Sequence, residues 1–94
     1  MKIITVFCIA KPEFRSELIK LCKSMIVPSR SEQGCLHYCF YQDLDRENKF
    51  FFYEEWVDQP SIDAHNISRH FLDFQPKFKS FIQGEPEINV HTVE

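Results

Sequence analysis

The sequence predicts one α+β domain with the element order β-α-β-β-α-β, the ferredoxin-like arrangement in which two helices cover one face of a four-stranded antiparallel sheet. The 94 residues suit a single domain, residues 1–94, and contain no internal repeat. Residues 2–10 and 49–57 are rich in β-branched and aromatic side chains, which is typical of strands. Residues 14–25 and the segment after Ser68 carry apolar side chains at helical spacing.

The first half of the chain is predicted to form a strand and an amphipathic helix. Residues 2–10 are apolar at odd and even positions alike, which indicates a strand buried on both faces. Pro12 suits the first turn of the helix. The apolar side of that helix consists of Phe14, Leu18, Leu21, Cys22 and Met25. We expect the helix to stop before Pro28, because the residue preceding a proline disfavours the α conformation.

The central segment is predicted to form a hairpin of two strands, residues 35–43 and 49–57, around a charged turn. Alternation on the first of these strands separates two sets of side chains, with Leu36, Tyr38 and Phe40 on one face and Cys35, His37, Cys39 and Tyr41 on the other. On the second strand, Glu54 shares its face with Phe50, Phe52 and Trp56.

The last third is predicted to contain two helices and a final strand. Asp58 is a plausible N-cap for a short helix over residues 61–66, and Ser68 can cap a second helix. The second helix carries a ladder of phenylalanines, Phe71, Phe74, Phe78 and Phe81. Pro76 predicts a kink or break near residues 74–75, and Gly84 is expected to stop the helix. Residues 87–93 alternate as a strand.

The face of the sheet that the helices leave open is predicted to be apolar. Since strands 2–10 and 49–57 carry apolar side chains on both faces, this face would exceed the apolar patch that a monomer usually exposes. A second copy packed sheet to sheet removes the problem. We therefore expect a homodimer with two-fold symmetry.

Charge and composition exclude several classes of partner. The formal net charge is −3, and the basic residues are scattered, which argues against a nucleic-acid interface. No apolar run is long enough to span a bilayer and no signal-peptide pattern follows Met1, so a cytoplasmic protein is expected. The four cysteines are expected to be reduced and mostly buried. Cys35 and Cys39 are predicted to share a strand face, yet too far apart to cross-link.

Four short patterns follow one another along the chain: Lys11-Pro12, then Glu32-x-Gly34-Cys35-x-x-Tyr38, then Glu54-x-Trp56, and finally His65 followed by His70-Phe71. In this order they resemble the antibiotic biosynthesis monooxygenase family over nearly the whole chain. The resemblance implies a dimeric α+β barrel of the small stand-alone quinol monooxygenase type, with a pocket between sheet and helices. It also implies oxidation of quinols or polycyclic phenols by molecular oxygen with no metal or flavin cofactor, the substrate itself supplying the electrons.

Other activities occur among similar proteins. The haem-degrading relatives use an Asn on the first strand and a Trp in the helical segment, whereas this chain has Val6 and Phe7 on that strand and His65 at the Trp position. Relatives that process a small phosphorylated signal need a phosphate clamp, for which Arg30 and Arg69 are the visible candidates. A small-molecule binder without catalysis stays open as well, since one fold hosts unrelated functions.

Three side chains are candidates for catalysis. His65 follows Ile62 and Ala64 and is expected to face the sheet, where a neutral imidazole could take a proton from a phenol or an enediol. His70 is a second candidate. Glu54 lies among aromatic residues, so its pKa is expected to rise and fit it for acid–base work. The alternatives are a buried His65 bonded to a carbonyl, a structural His70, and a Glu54 paired with a cation.

The remaining candidates are expected to form the substrate pocket. Trp56, Tyr38, Phe71 and Phe52 are predicted to contact the substrate, the tyrosine through its hydroxyl. No metal site is expected, because His65 and His70 lie five residues apart rather than four, and no clear third ligand follows them.

Overall fold

The computed structural model describes residues 1–94 and confirms the ferredoxin-like α+β fold. The strands are β1 (Lys2–Ile9), β2 (Cys35–Gln42), β3 (Lys49–Trp56) and β4 (Glu87–Thr92), and they lie in the order β2-β3-β1-β4 with every neighbouring pair antiparallel. The helices are α1 (Arg15–Ser24), α2 (Ile26–Arg30), α3 (Gln59–Asn66) and α4 (Arg69–Phe81), and a 3-10 turn (Pro12–Phe14) precedes α1.

Both predicted caps in the last third of the chain are confirmed. The Asp58 carboxylate accepts a hydrogen bond from the Ser61 amide at the start of α3. The Ser68 hydroxyl accepts one from the Phe71 amide at the start of α4. Each cap satisfies a backbone donor that has no partner within its own helix. The two caps fix where α3 and α4 begin, and Ile67 between the helices has non-helical dihedrals.

The first helical segment ends for a different reason from the predicted one. Helix α1 stops at Ser24, the chain turns at Met25, and α2 then continues through Pro28. The first helix does stop before Pro28, as predicted, but the proline is not the reason, because Val27 and Pro28 both lie in the next helix. Pro28 is the third residue of a new helix, where the backbone amide has no intrahelical acceptor, so the missing N–H costs nothing.

Of the kink or break predicted near residues 74–75, the break is wrong, because α4 runs without interruption from Arg69 to Phe81 with Pro76 inside it. A proline inside a helix costs about 3 kcal/mol. Phe74 and Phe78, one on each side of it, are buried against the sheet, and burying a phenylalanine stabilises by about 1.5–3 kcal/mol. Tertiary packing thus outweighs the local cost.

The predicted stop at Gly84 lies too late in the chain. Helix α4 ends at Phe81, since Ile82 is extended and forms an isolated bridge with Ala10 of the first strand segment. Gly84 occupies the turn that follows, with a positive φ of 63° that favours glycine. Docking of Ile82 against the sheet therefore ends the helix before the glycine does.

The core lies between the sheet and the helices. Strand β3 buries alternate residues, Phe50, Phe52, Glu54 and Trp56, toward the helices, as the sequence predicted. Strand β1 lies beside β3 and contributes Ile4 and Cys8, and the helices contribute the buried side chains Leu18, Cys22, Ile62, Phe74 and Phe78. One carboxylate, Glu54, is therefore embedded in an otherwise apolar face.

A bulge in β2 changes the predicted faces of that strand. Cys35 pairs with Trp56, whereas His37 pairs with Glu55, so Leu36 is an extra residue. The shift turns Cys35 toward the core, against which it packs, while Cys39 stays on the opposite face. The prediction that the two cysteines share a face is wrong for this reason. All four cysteines are free thiols, of which Cys8 and Cys22 are buried.

No helix covers the other face of the sheet. Aromatic side chains meet there: Phe7 and Phe51 have ring centroids 4.5 Å apart, and the Tyr41 ring is stacked 6.2 Å from Phe51. Phe7 and Phe51 are partly exposed, and Tyr41 is 53% exposed. The predicted apolar open face is thus present in the single chain.

Every helix in the structure is too short or too polar to span a bilayer.

Candidate functional site

A cavity of about 630 Å³ lies between the sheet and helices α3 and α4. Its volume falls in the range of small-molecule sites. Its walls are mainly apolar, and they are formed by Ile4, Val6, Tyr38, Phe52, Ile62, Phe71, Phe74, Phe78, Ile88 and Val90. The polar or charged groups at its wall include Glu54, Gln59, His65, Asn66, Gln75, Lys79 and Glu85.

The cavity separates the predicted site residues into two groups. Five of them line it, namely Tyr38, Phe52, Glu54, His65 and Phe71. Trp56 and His70 are not part of its wall. The structure therefore places these two where they can act on a bound molecule only through other side chains.

Trp56 lies fully buried behind Glu54. Its indole Nε1 donates a hydrogen bond to Glu54 Oε1 over 2.9 Å. Residues two apart on a strand share a face, which is what lets the indole reach the carboxylate. Trp56 thus fixes one oxygen of Glu54 and contacts no cavity space itself.

Glu54 is a buried carboxyl with an altered acidity. Burial raises its pKa to about 7, and the nearby negative charge of Glu32 acts in the same direction, whereas the hydrogen bond from Trp56 opposes the change. The protonated and ionised forms of Glu54 are therefore both accessible near neutral pH. A group of this kind can give or take a proton at the cavity wall.

Glu32 joins the site from a turn that follows α2. Its Oε2 lies 2.5 Å from Nδ1 of His65, although the two residues are 33 positions apart in sequence. Gly34 has a φ of 88°, and a Cβ at this position would collide with the Ser61 side chain of α3. The backbone also donates from Val57 to the Gly34 carbonyl over 2.8 Å. The close approach at Gly34 therefore brings Glu32 within reach of His65.

The geometry at His65 defines the form of its imidazole. Burial lowers the pKa of His65, and the adjacent Glu32 only partly opposes this effect, so the neutral ring is favoured. Because Glu32 occupies Nδ1 as an acceptor, the ring proton resides on Nδ1 and the lone pair on Nε2. Nε2 has no hydrogen-bond partner within the chain and is not fully buried. Since His65 lines the cavity and Glu32 occupies Nδ1, Nε2 is the nitrogen that opens onto the cavity.

Aromatic rings hold His65 in this orientation. Trp56, Phe71 and Tyr38 surround it, with ring centroids 4.8, 5.2 and 5.8 Å from the imidazole. The imidazole is almost completely buried, with 4% of its side chain exposed. A ring packed on three sides loses little further freedom when it receives a proton, which favours a preorganised acid–base group.

His70 meets the same carboxylate from its outer side. Its Nε2 lies 3.1 Å from Glu32 Oε2 and 3.3 Å from the Ser68 hydroxyl, and 24% of its side chain is exposed. The two histidines lie on different helices, His65 in the last turn of α3 and His70 in the first turn of α4, so the spacing rule for two ligands on one helix does not apply to them. The break at Ile67 is what lets both contact Glu32.

Glu32 is the residue that the sequence analysis did not single out for chemistry. Its only signal was its place in the Glu32-x-Gly34 pattern, since nothing local connects it to the histidines.

Both basic candidates for a phosphate clamp lie outside the cavity. Arg30 donates from Nε to the Tyr38 carbonyl, and Arg69 is 91% exposed beside Asp73. Lys79 is the one lysine or arginine at the cavity wall.

The chain is similar in sequence to proteins of several bacteria. A Synechocystis protein, the uncharacterised protein sll1783, is 35% identical over 83 residues, which cover 88% of this chain but only 56% of that protein. Bacillus subtilis YcnE is 28% identical over 94% of this chain and 93% of its own length. Mycobacterium tuberculosis Rv0793 is 32% identical over 69% of this chain and 63% of its own length. The latter two carry the name "Putative monooxygenase".

Solved structures share the fold. A conserved protein of Methanosarcina mazei superposes with a TM-score of 0.92 at 35% identity, covering 100% of this chain and 94% of that chain. The Rv0793 structure superposes with a TM-score of 0.94, covering 99% of this chain and 94% of its own, at 24% identity. At the sequence level, the profile of the antibiotic biosynthesis monooxygenase domain matches residues 1–77. The chain therefore belongs to the antibiotic biosynthesis monooxygenase family.

Proposed function

We propose that this protein is a monooxygenase that oxidises a quinol or a polycyclic phenol with molecular oxygen and without a cofactor. The observation that carries the proposal is the free Nε2 of His65, which faces an aromatic-lined cavity while Glu32 holds Nδ1. The names of YcnE and Rv0793 support the reaction class. The substrate class is our inference from the shape and chemistry of the cavity.

The first step is removal of a phenolic proton. His65 Nε2 accepts it, and the resulting imidazolium remains hydrogen-bonded to the Glu32 carboxylate, which stabilises the new positive charge. The phenolate left behind is richer in electrons than the phenol and transfers them more readily to oxygen. Because the His65 side chain is only 4% exposed, water screens its interaction with Glu32 less than it would at the surface.

The reaction balances with no external reductant. A quinol and one O₂ give a hydroxyquinone and one water: a ring carbon gains one oxygen atom as a hydroxyl, and the other oxygen leaves as water. The two hydroxyl hydrogens of the quinol end in that water, and the ring hydrogen ends on the new hydroxyl. Two electrons come from conversion of quinol to quinone and two from the new carbon–oxygen bond, which together reduce O₂ fully.

The cavity supports a planar substrate. Phe52, Phe71 and Phe74 present ring surfaces to it, and aromatic rings stack or meet edge-to-face at such walls. Glu54, with a pKa near 7, lies at the same wall and can return a proton as the oxygen–oxygen bond breaks. Tyr38 adds a further aromatic ring to this wall.

Oxygen uptake tests the proposal directly. We would measure saturable O₂ consumption by metal-free protein with a panel of quinols and polycyclic phenols. His65→Gln keeps an amide donor for Glu32 but has no basic nitrogen, so turnover should fall by at least about 100-fold, the usual range of general-base catalysis. Leu18→Ala is the matched control for lost stability, because Leu18 is fully buried in α1 and away from the cavity.

The outcomes separate the candidate functions. Uptake that survives unchanged in His65→Gln removes His65 as the base. Tight binding of phenols without any uptake supports a non-catalytic binder. Turnover of a phosphorylated sugar-like compound instead supports an isomerase, although Lys79 would then be its one cationic contact at the cavity.

We also propose that two copies associate through the open sheet face. Phe7, Phe51 and Tyr41 are clustered there and partly exposed to solvent. Burial of such a surface is favourable by roughly 25 cal/mol per Å² before the entropic cost of association. A symmetric dimer would cover the same patch on both subunits.

A further inference from the structure

We propose that Glu32, His65 and His70 form a site for a divalent transition-metal ion such as Zn²⁺, and that its occupancy converts His65 from a proton acceptor to a donor toward the cavity. The site lies on the side of His65 opposite the cavity. It is distinct from the substrate space, to which it is connected only through the imidazole ring.

The three potential ligand atoms already converge. His65 Nδ1, His70 Nε2 and a Glu32 oxygen lie within 4.8 Å of one another. Zinc bonds of about 2.0–2.2 Å place neighbouring ligand atoms roughly 3.0–3.5 Å apart in tetrahedral or octahedral geometry. The distances from Glu32 Oε2 to the two nitrogens are 2.5 and 3.1 Å. A metal therefore requires the carboxylate to move away from His65 and the two histidine nitrogens, whose separation is bounded only by the 4.8 Å limit, to settle at about 3.0–3.5 Å from each other.

The donor set and its surroundings suit such an ion. Two imidazoles and one carboxylate are ligands that zinc and its neighbours accept, and they leave a fourth position open. The side chains of Glu32 and His70 are 17% and 24% exposed, so an ion and a water ligand can reach the site. His65 is fixed by aromatic packing, and Glu32 lies in a turn and can adjust.

Occupancy of Nδ1 has a consequence for the cavity. An imidazole that binds a metal through Nδ1 must carry its proton on Nε2. In the metal-free chain the proton is on Nδ1 and Nε2 accepts. The ion would therefore turn the nitrogen that faces the cavity into a donor and remove its basicity. This inhibitory consequence, unlike the metal binding itself, rests on the proposed role of His65 as a base.

Metal titration tests the site whether or not the protein is an enzyme. We would titrate the purified protein with Co²⁺, follow its visible absorption, and then displace it with Zn²⁺. One Co²⁺ per chain with intense low-coordinate bands is expected, and His70→Ala should weaken Zn²⁺ binding by at least 100-fold. His37→Ala is the matched control, because His37 is an exposed histidine on the open sheet face, 3.7 Å from Glu55.

Nitrogen NMR of the imidazoles tests the switch. In metal-free protein the proton of His65 should be on Nδ1, and with Zn²⁺ it should move to Nε2. Equal Zn²⁺ affinity in His70→Ala and His37→Ala, or a His65 tautomer that zinc leaves unchanged, would overturn the proposal. If Zn²⁺ binds with the expected tautomer while the metal-free protein consumes no oxygen with any quinol or phenol, the metal site stands and the monooxygenase function is refuted.

Discussion

Replacing Glu32 by glutamine removes one negative charge beside His65 and nearly nothing else. The amide oxygen of glutamine can still accept the proton of His65 Nδ1, so the tautomer that leaves Nε2 free is retained. The substitution instead removes the negative charge that stabilises the imidazolium once His65 has taken a proton. A hydrogen bond to a charged group contributes about 1.5–3 kcal/mol, against roughly 1 kcal/mol for a neutral one.

The expected loss follows from that difference. About 0.5–2 kcal/mol of lost transition-state stabilisation corresponds to roughly 2- to 30-fold in kcat, at about 1.36 kcal/mol per factor of ten. Glu32 does not line the cavity, so KM should change little. A fall in kcat at constant KM identifies an interaction made only during reaction.

The assay is steady-state oxygen uptake with the best quinol from the panel. Glu47→Gln is the matched control, because Glu47 is an exposed carboxylate whose side chain is 73% accessible and which pairs with Arg15 far from His65. An unchanged kcat in Glu32→Gln, or an equal fall in Glu47→Gln, would refute the role assigned to Glu32. A rise in KM alone would show that Glu32 supports binding rather than proton transfer.

Three further predictions concern pH, backbone and assembly. The pKa of Glu54 is raised on folding from 4.5 to about 7, so the folded state binds the extra proton. The free energy of unfolding should therefore fall by about 2–4 kcal/mol between pH 4.5 and pH 7.5, and Glu54→Gln should abolish that slope in denaturant titrations. Gly34→Ala should destabilise by about 2–4 kcal/mol, because it combines a positive φ with a collision. Gly84→Ala meets open space and should cost only about 1–2 kcal/mol, so equal melting shifts would contradict the close approach at Gly34. Light scattering should show twice the chain mass of 11.3 kDa, halved by Phe51→Asp but not by Leu44→Asp in the fully exposed turn; a monomeric wild type would contradict the dimer.

The local elements of this protein could be predicted because short-range physics dominates them. Alternation set the faces of β3, and the side chains of Asp58 and Ser68 set the beginnings of two helices. The effect of the prolines on the helices could not be predicted in the same way. Pro28 and Pro76 both lie inside helices, since the cost of a proline depends on its position in the helix and on what its neighbours bury.

The candidate site could be predicted only in part. Five of the seven predicted residues line the cavity, because alternation and helical spacing indicate which face a side chain occupies. Those patterns do not indicate how deeply a side chain is buried behind the cavity wall, because that depends on the distance between the helices and the sheet. Trp56 therefore lies behind the wall that it was predicted to form.

The sequence by itself determined the strands, the beginnings of α3 and α4, the inward face of Glu54 and the apolar character of the open sheet face. Only the tertiary structure decided that Glu32 would reach His65 and His70. The link spans 33 residues and depends on a glycine turn packed against α3 and on a break between two helices. Each of those features is local, but their meeting at one carboxylate oxygen is a property of the packed fold, because no periodic pattern encodes a contact between distant turns.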